Sequence, residues 1–312
     1  MSDTHAAHAA QAKLGGPLIS GPKLWIMASR PKTLPVGVAP VLVGTALAGF
    51  QHVFHPLRFI AALLGAVLIQ IGANLSNDYS DARRGADTDD RLGPVRVTAG
   101  GLIPPRTVLA ATMFTFALAF GCGAYLIATA GWQLLLIGVA SILAGVLYTG
   151  GPRPYGYEGL GEVFVFLFFG VAAVAGSYFA QCSTFSWESL LLSAPVGLIA
   201  SAVLVANNVR DIDTDRRANK RTLAVRLGRK RTRIMYALMV YLPYPLVLIV
   251  WLFGPLKVWV ALCWLTIPLA VSLARLVSSH VDGPSLNRAL AKTGQLQLLF
   301  CALLAAGLLL SR

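Results

Sequence analysis

Long apolar runs separated by short polar segments set the pattern of this chain, at roughly 34–50, 57–77, 108–130, 132–149, 160–180, 189–207, 233–254, 257–275 and 292–311. Such runs approach the ~20 apolar residues that carry a helix across the hydrocarbon core of a bilayer. Backbone groups in lipid must find partners within their own segment, so the runs predict helices rather than open sheets. Pro35 and Pro40 fall in the first run, and Pro243, Pro245 and Pro268 in later ones, where neighbouring helices absorb a kink. The expectation is an all-α polytopic membrane protein with nine transmembrane helices. Residues 1–23 are expected to form a disordered tail, followed by an interfacial stretch around Leu24 to Met27, with 24–312 a single transmembrane domain.

Composition narrows the class. Of 312 residues, 56% are hydrophobic and only 12% charged, too few charges to cover a large soluble helical protein. A net charge of +13 raises nucleic acid as a partner, but the placement of the charges argues against it. With the N-terminus inside, segments 1–33, 78–107, 149–160, 208–233 and 275–292 share one side and hold 23 of the 26 Lys and Arg; Arg58, Lys257 and Arg312 fall on the other. That bias puts the first group of segments in the cytoplasm, where the excess meets anionic lipid or an anionic substrate. The N-terminal region lacks the apolar core and small-residue cleavage site of a signal peptide. Cys122, Cys182, Cys263 and Cys301 are scattered without metal-like spacing and read as small packing residues. Gln295 and Gln297 in the last run read as interhelical hydrogen-bonding residues.

The acids are not scattered. NDYSDARRGADTDDRLGP (77–94) and NNVRDIDTDRRANKR (207–221) hold eight of the thirteen Asp and Glu, each at the end of an apolar run. Aligning Asn77 with Asn207 puts Asp81 opposite Asp211, which suggests a parallel internal repeat of halves at about 24–150 and 151–275 plus a ninth helix. Residues four apart share a helix face roughly 6 Å apart along the axis. Asn77 and Asp81 therefore stack, as do Asn207, Asp211 and Asp215, while Asp87 lies beyond Gly85 in an unwound stretch. Carboxylates directed at one point repel one another, and a divalent cation would resolve the repulsion. All-oxygen ligands without His or Cys select Mg²⁺ over Zn²⁺, and Mg²⁺ completes its shell with water and phosphate oxygens. Arg83, Arg84, Arg91 and Arg96 accompany the first cluster, and Arg210, Arg216, Arg217, Lys220 and Arg221 the second. Metal-binding carboxylates interleaved with guanidinium and ammonium groups describe a clamp for diphosphate. Ordinary solvated loop acids are the plainer alternative, and the matched pair of clusters argues against it.

With those residues in view, the chain resembles the UbiA superfamily of intramembrane aromatic prenyltransferases. NDYSDARRGAD and NNVRDIDTD look like its two aspartate-rich motifs. RPKTLPVGVAPVLVGTALA, DTDDRLGPVRVTAGGLI, YTGGP, GLGEVFVFLFFG and NKRTLAVRLG are similar to the branch that prenylates 1,4-dihydroxy-2-naphthoate for menaquinone synthesis. The resemblance covers nearly everything from about residue 24 onward. It implies a nine-helix bundle around a central cavity in a bacterial inner membrane, capped by cytoplasmic motif loops. It also implies transfer from polyprenyl diphosphate to an aromatic acid acceptor, with loss of carbon dioxide and two Mg²⁺ ions bridging the diphosphate. Asn77, Asp81 and Asp87 match the first motif and Asn207, Asp211 and Asp215 the second, as catalytic residues. Of these, Asn77, Asp81, Asp87, Asp211 and Asp215 are the implied metal ligands. Arg30, Arg96, Tyr148, Arg153, Asn208, Arg210 and Lys220 transfer as substrate or diphosphate contacts. The benzoate branch has an aspartate where Gly85 stands, and its tyrosine-to-lysine loop signature is absent after Tyr148, where Arg153 is the nearest cation.

Within GLGEVFVFLFFG, Glu162 is an acid inside an apolar run. It reads either as a substrate-orienting or proton-accepting group or as a surface acid at a helix start. Phe164, Phe166, Phe168 and Phe169 read as packing or lipid-facing residues whose ring faces could also steady a passing cation. A 4-hydroxybenzoate polyprenyltransferase would differ only in its acceptor. A secondary transporter would want its charges near the bilayer midplane rather than at helix ends. A phosphatidyltransferase would open its motif with an Asp-Gly…Ala-Arg pattern that this chain lacks.

Overall fold

The computed structural model describes residues 21–86, 92–93 and 96–312. Among them every regular element is a helix. In chain order these are α1 (Gly21–Ser29), α2 (Leu34–Phe50), α3 (Pro56–Arg83), α4 (Pro105–Ala130), α5 (Gln133–Leu147), α6 (Gly161–Cys182), α7 (Trp187–Arg217), α8 (Leu223–Phe253), α9 (Val258–Ser279) and α10 (Gly283–Leu310). Among the described residues eight spans are long and apolar enough to cross a membrane, α1 and α2 counting together as one. The remaining expected run, α5, has 15 helical residues. At 1.5 Å per residue it covers ~22 Å, short of the ~30 Å hydrocarbon core. Positive φ at Gly131 (142°) and Gly151 (73°) mark the turns on either side of it. Helix already begins at Gly21, inside the expected tail; residues 1–20 lie outside the described residues.

Burial separates the roles of the helices. α7 is the central one: 72% of its most apolar window is buried, against 28% for α3 and for α4. It packs on α6, α8 and α10, while α10 closes the ring against α2 and α3 packs on α4 and α5. Exposed large side chains such as Leu64, Phe114, Leu118 and Trp187 stand on the outer faces. In water they would be a liability; in a bilayer they meet acyl chains. Where helices cross closely, small residues permit it. A Cβ on Gly44 would sit 2.2 Å from the Val174 carbonyl oxygen, and one on Gly170 would sit 2.7 Å from the Gly197 Cα.

Several helices are not regular throughout. α6 passes through a π-helical stretch at Phe166–Ala172, α8 breaks at Gly228 (φ 73°), and α9 opens with a 3₁₀ segment at Val258–Thr266. The four cysteines are free thiols. The expected bridging role of the glutamines is not found. Gln295 is exposed, and buried Gln297 has no hydrogen-bond partner for either amide atom among the described residues. The polar link from this part of α10 is instead Thr293 to the Tyr236 hydroxyl on α8, at 2.7 Å.

Candidate active site

α3 and α7 bring their last turns to one cavity of about 390 Å³. Asn77 and Asp81 of α3 and Asn207, Asn208, Asp211 and Asp215 of α7 line it, as do Arg30, Arg96, Tyr148 and Lys220. The four-residue spacing of the two stretches thus places both sets of oxygens on inward faces. The rest of the wall, from α2 to α7, is mostly apolar, with Gln70, Ser141 and Ser177 as polar exceptions. Asp87 lies outside the described residues.

The first stretch is held by cations and a phenol. Asp81, 1% exposed, accepts from Arg96 at 3.0 Å and from the Tyr157 hydroxyl, and Lys220 Nζ lies 3.7 Å away. Lys220 also sits over the Tyr157 ring, 4.8 Å from its centroid. Asn77 Oδ1 accepts from Thr149 at 3.0 Å. A carboxylate near a helix C-terminus faces carbonyl dipoles that disfavour it, and these donors compensate.

The second stretch uses a different device. Arg210 forks onto its own neighbour Asp211 through Nε (2.7 Å) and Nη2 (2.5 Å). The same guanidinium donates to Asn207 Oδ1 at 2.8 Å and to Asn287 Oδ1 at 2.6 Å. Asn287 Nδ2 in turn donates to the Leu92 carbonyl at 2.9 Å, tying α10 to the last part of the first stretch. Thr222 caps α8 by accepting from Val225, and its hydroxyl reaches Asp215 at 3.5 Å.

Repulsion between the acids is met by the cations that hold them. Among the described residues no three Asp, Glu, His or Cys gather closely enough to hold a metal ion together. In donor chemistry the site fits a hard cation such as Mg²⁺: the polar rim offers carboxylate and amide oxygens, and no His or Cys among the described residues lines the cavity.

Not every expected residue faces the cavity. Glu162 (4% exposed) and Arg210 are buried one layer behind it: Glu162 Oε1 accepts from Asn208 Nδ2 at 2.9 Å, and Arg210 holds Asp211. Glu162 is thus not a surface acid. Arg153 is exposed and lines a separate recess with Glu158, Leu160 and Arg226. Glycines 150 and 151 turn the chain there, so the cation nearest Tyr148 in sequence points elsewhere. Arg30 enters the cavity from a left-handed turn (φ 54°) between α1 and α2. Tyr148 meets Tyr155 edge-on at 5.5 Å, Tyr155 stacks on Phe164 at 4.0 Å, and Phe164 faces Phe168 at 6.1 Å. Burial raises the Tyr155 phenol above its ordinary range, so it stays protonated and donates to the Ala144 carbonyl at 2.7 Å.

Sequence reasoning missed Tyr157, Asn287 and the pair Asp78–Thr98. Tyr157 could have been suspected from the tyrosines of YGYE beside the mid-chain turn; Asn287 carried no signal.

A membrane-embedded helical bundle with oxygen donors and cations at one end of an apolar cavity suits an amphiphile with an anionic head. The chain belongs to the UbiA prenyltransferase family, whose model matches residues 37–300. It is 42% identical over 285 residues to the 1,4-dihydroxy-2-naphthoate octaprenyltransferase of Mycobacterium tuberculosis, covering 91% of this chain and 96% of that protein. It is 39% identical to the Escherichia coli protein of the same name, covering 94% and 97%. Among solved structures it resembles a UbiA homologue from Archaeoglobus fulgidus bound to DMAPP and Mg²⁺, with a TM-score of 0.68 at 16% identity, covering 92% of this chain and 99% of that one. The apo UbiA homologue from Aeropyrum pernix gives 0.69 at 16% identity, covering 89% and 98%.

Proposed function

We propose that this protein transfers a polyprenyl group from polyprenyl diphosphate to 1,4-dihydroxy-2-naphthoate, with loss of carbon dioxide, giving the prenylated dihydroxynaphthalene (demethylmenaquinol, the reduced form of demethylmenaquinone) and diphosphate. The observation that carries the reading is the pairing of both acidic stretches across one cavity whose remaining wall is apolar and aromatic. The likeness to naphthoate octaprenyltransferases over nine-tenths of the chain supports the acceptor.

The head of the donor lies at the rim and its tail in the apolar cavity. Asn77, Asp81 and Asp87 from the first stretch, with Asp211 and Asp215 from the second, would hold Mg²⁺, in our reading two ions. When bound, the metal neutralises diphosphate oxygens and makes the diphosphate a better leaving group. Arg30, Arg96 and Lys220 bring guanidinium and ammonium donors to the same oxygens. Tyr157 and Arg210 hold Asp81 and Asp211 in place. Glu162 orients Asn208 through its amide.

Breaking the allylic C–O bond leaves its electron pair on diphosphate and an allylic cation in the cavity. Phe164 and Phe168 offer ring faces to that cation, and the apolar wall keeps water from quenching it. The naphthoate ring carbon that bears the carboxyl supplies the electron pair of the new C–C bond. The carboxyl then departs as carbon dioxide, and the electrons of its bond restore the aromatic ring.

We read α5 as a further crossing, which makes nine. The acidic stretches then face the cytoplasm of a bacterial inner membrane, as the distribution of Lys and Arg favours. Membranes containing the protein, given labelled polyprenyl diphosphate and either 1,4-dihydroxy-2-naphthoate or 4-hydroxybenzoate, should label only the naphthoate. Labelling of the benzoate alone would overturn the acceptor, and labelling of neither would overturn the reading.

A further inference from the structure

Asp78 stands next to Asn77, yet it does not share the cavity. One residue along a helix is a turn of about 100°, which takes Asp78 off the face that carries Asn77 and Asp81. It is 2% exposed and does not line the cavity wall. Its Oδ2 accepts twice from one residue, from the Thr98 backbone N–H at 3.2 Å and from the Thr98 hydroxyl at 3.0 Å.

Two residues before Thr98, Arg96 donates to Asp81 Oδ2 at 3.0 Å. Between them, Val97 is buried against Leu75, Ile103 and Val108. The segment closes on itself through Gly100 N–H to the Arg96 carbonyl, Gly101 N–H to Thr98, and Leu102 N–H to Val97. Gly101 supplies the left-handed φ of 68° that this turn needs. Residues 96–103 thus form a compact strap, registered against the last turns of α3 at two points: Thr98 on Asp78 and Arg96 on Asp81.

From this geometry we infer that Asp78 is a positioning residue that clamps Thr98 and thereby sets Arg96 at the cavity rim, and that it is not a ligand of metal or diphosphate. A carboxylate already accepting a backbone N–H and a hydroxyl on the far side of the helix serves the strap. The inference rests on the reading that Arg96 contacts diphosphate.

The test measures binding of geranyl diphosphate with Mg²⁺ to the purified full-length protein in nanodiscs, together with the Mg²⁺ concentration at half-saturation. Asp78→Ala should weaken geranyl diphosphate binding about tenfold, the scale for outer-layer partners of a site. Arg96→Ala should weaken it at least as much, and the double variant should bind no worse than Arg96→Ala alone. Half-saturating Mg²⁺ should stay put in Asp78→Ala and rise in Asp81→Asn. In turnover, Asp78→Ala should raise KM for the prenyl diphosphate and leave kcat nearly unchanged. Thr98→Val, which removes one of the two bonds, should move KM in the same direction and gives the test a second route if Asp78→Ala does not fold. An additive double variant, or a Mg²⁺ shift in Asp78→Ala like that in Asp81→Asn, overturns the assignment. Unchanged binding in Arg96→Ala removes the diphosphate reading, and the inference with it.

Discussion

Lys220, near the end of the second acidic stretch, places its ammonium 3.7 Å from the carboxylate of Asp81 in the first. Both side chains are nearly buried, at 11% and 2% exposure. This contact joins the two stretches directly. Lys220 completes its setting by lying over the Tyr157 ring, while the Tyr157 hydroxyl donates to the same carboxylate.

Removing that ammonium should weaken the rim from both sides. Lys220→Met keeps the length and loses the charge, and it should lower kcat/KM ten- to a hundredfold, the ~1.5–3 kcal/mol of a hydrogen bond to a charged group. Steady-state kinetics against prenyl diphosphate concentration reads this out, with most of the loss in KM. An unchanged kcat/KM would remove Lys220 from the site.

Chelation gives a second expectation. Membranes treated with excess EDTA should lose prenyl transfer, and added Mg²⁺ should restore it. Zn²⁺ should restore it poorly, because the rim offers oxygens and no His or Cys. Full turnover in EDTA would contradict a metal-held diphosphate.

Glu162 separates a structural acid from a proton acceptor. Its Oε1 accepts from Asn208, and Oε2 has no partner among the described residues. Glu162→Gln keeps an oxygen for Asn208 and should retain most activity. Glu162→Ala leaves a buried amide unpaired, a cost of about 1–3 kcal/mol, and should lower thermal stability and kcat together. A Gln variant as inactive as the Ala variant would point to proton transfer at Glu162.

Away from the site, Asp282 caps α10 by accepting from the Ser285 backbone N–H at 2.8 Å. That bond holds its carboxyl below the ordinary aspartate range. A depressed folded-state pKa adds stability that is complete above the unfolded pKa, near 3.9, and is lost as pH falls through the folded value. Asp282→Ala should therefore lower Tm at pH 7, and the gap to the unsubstituted protein should narrow below about pH 4. A gap independent of pH would show that the cap's charge contributes nothing.

What the sequence made legible follows from what constrains it. Apolar runs of bilayer length announce helices because lipid leaves the backbone no other partner, and the helices stand where the runs do. The acidic faces were legible because a four-residue spacing maps directly onto one side of a helix, and Asn77, Asp81, Asn207, Asp211 and Asp215 all line the cavity. Partners contributed by loops were not. Tyr157 and Thr98 reach the motif residues through turns whose direction is set by tertiary packing, and Asn287 does so from the distant helix α10; no periodicity encodes either. Arg153 stands apart from the cavity for the same reason, since nearness to Tyr148 along the chain does not survive the glycine turn. The short α5 and the breaks in α6, α8 and α9 were equally hidden, because each keeps the hydropathy of a straight helix.

The central claim is that both acidic stretches act as one diphosphate site. Its most direct test is prenyl transfer to 1,4-dihydroxy-2-naphthoate by Asp81→Asn, Asp211→Asn and the double variant, each checked for expression and monodisperse elution. Groups that act as a unit are far from additive. Each single variant should fall at least about a hundredfold, and the double should fall little further. Substantial turnover in the double variant, or losses that simply multiply, would contradict the account.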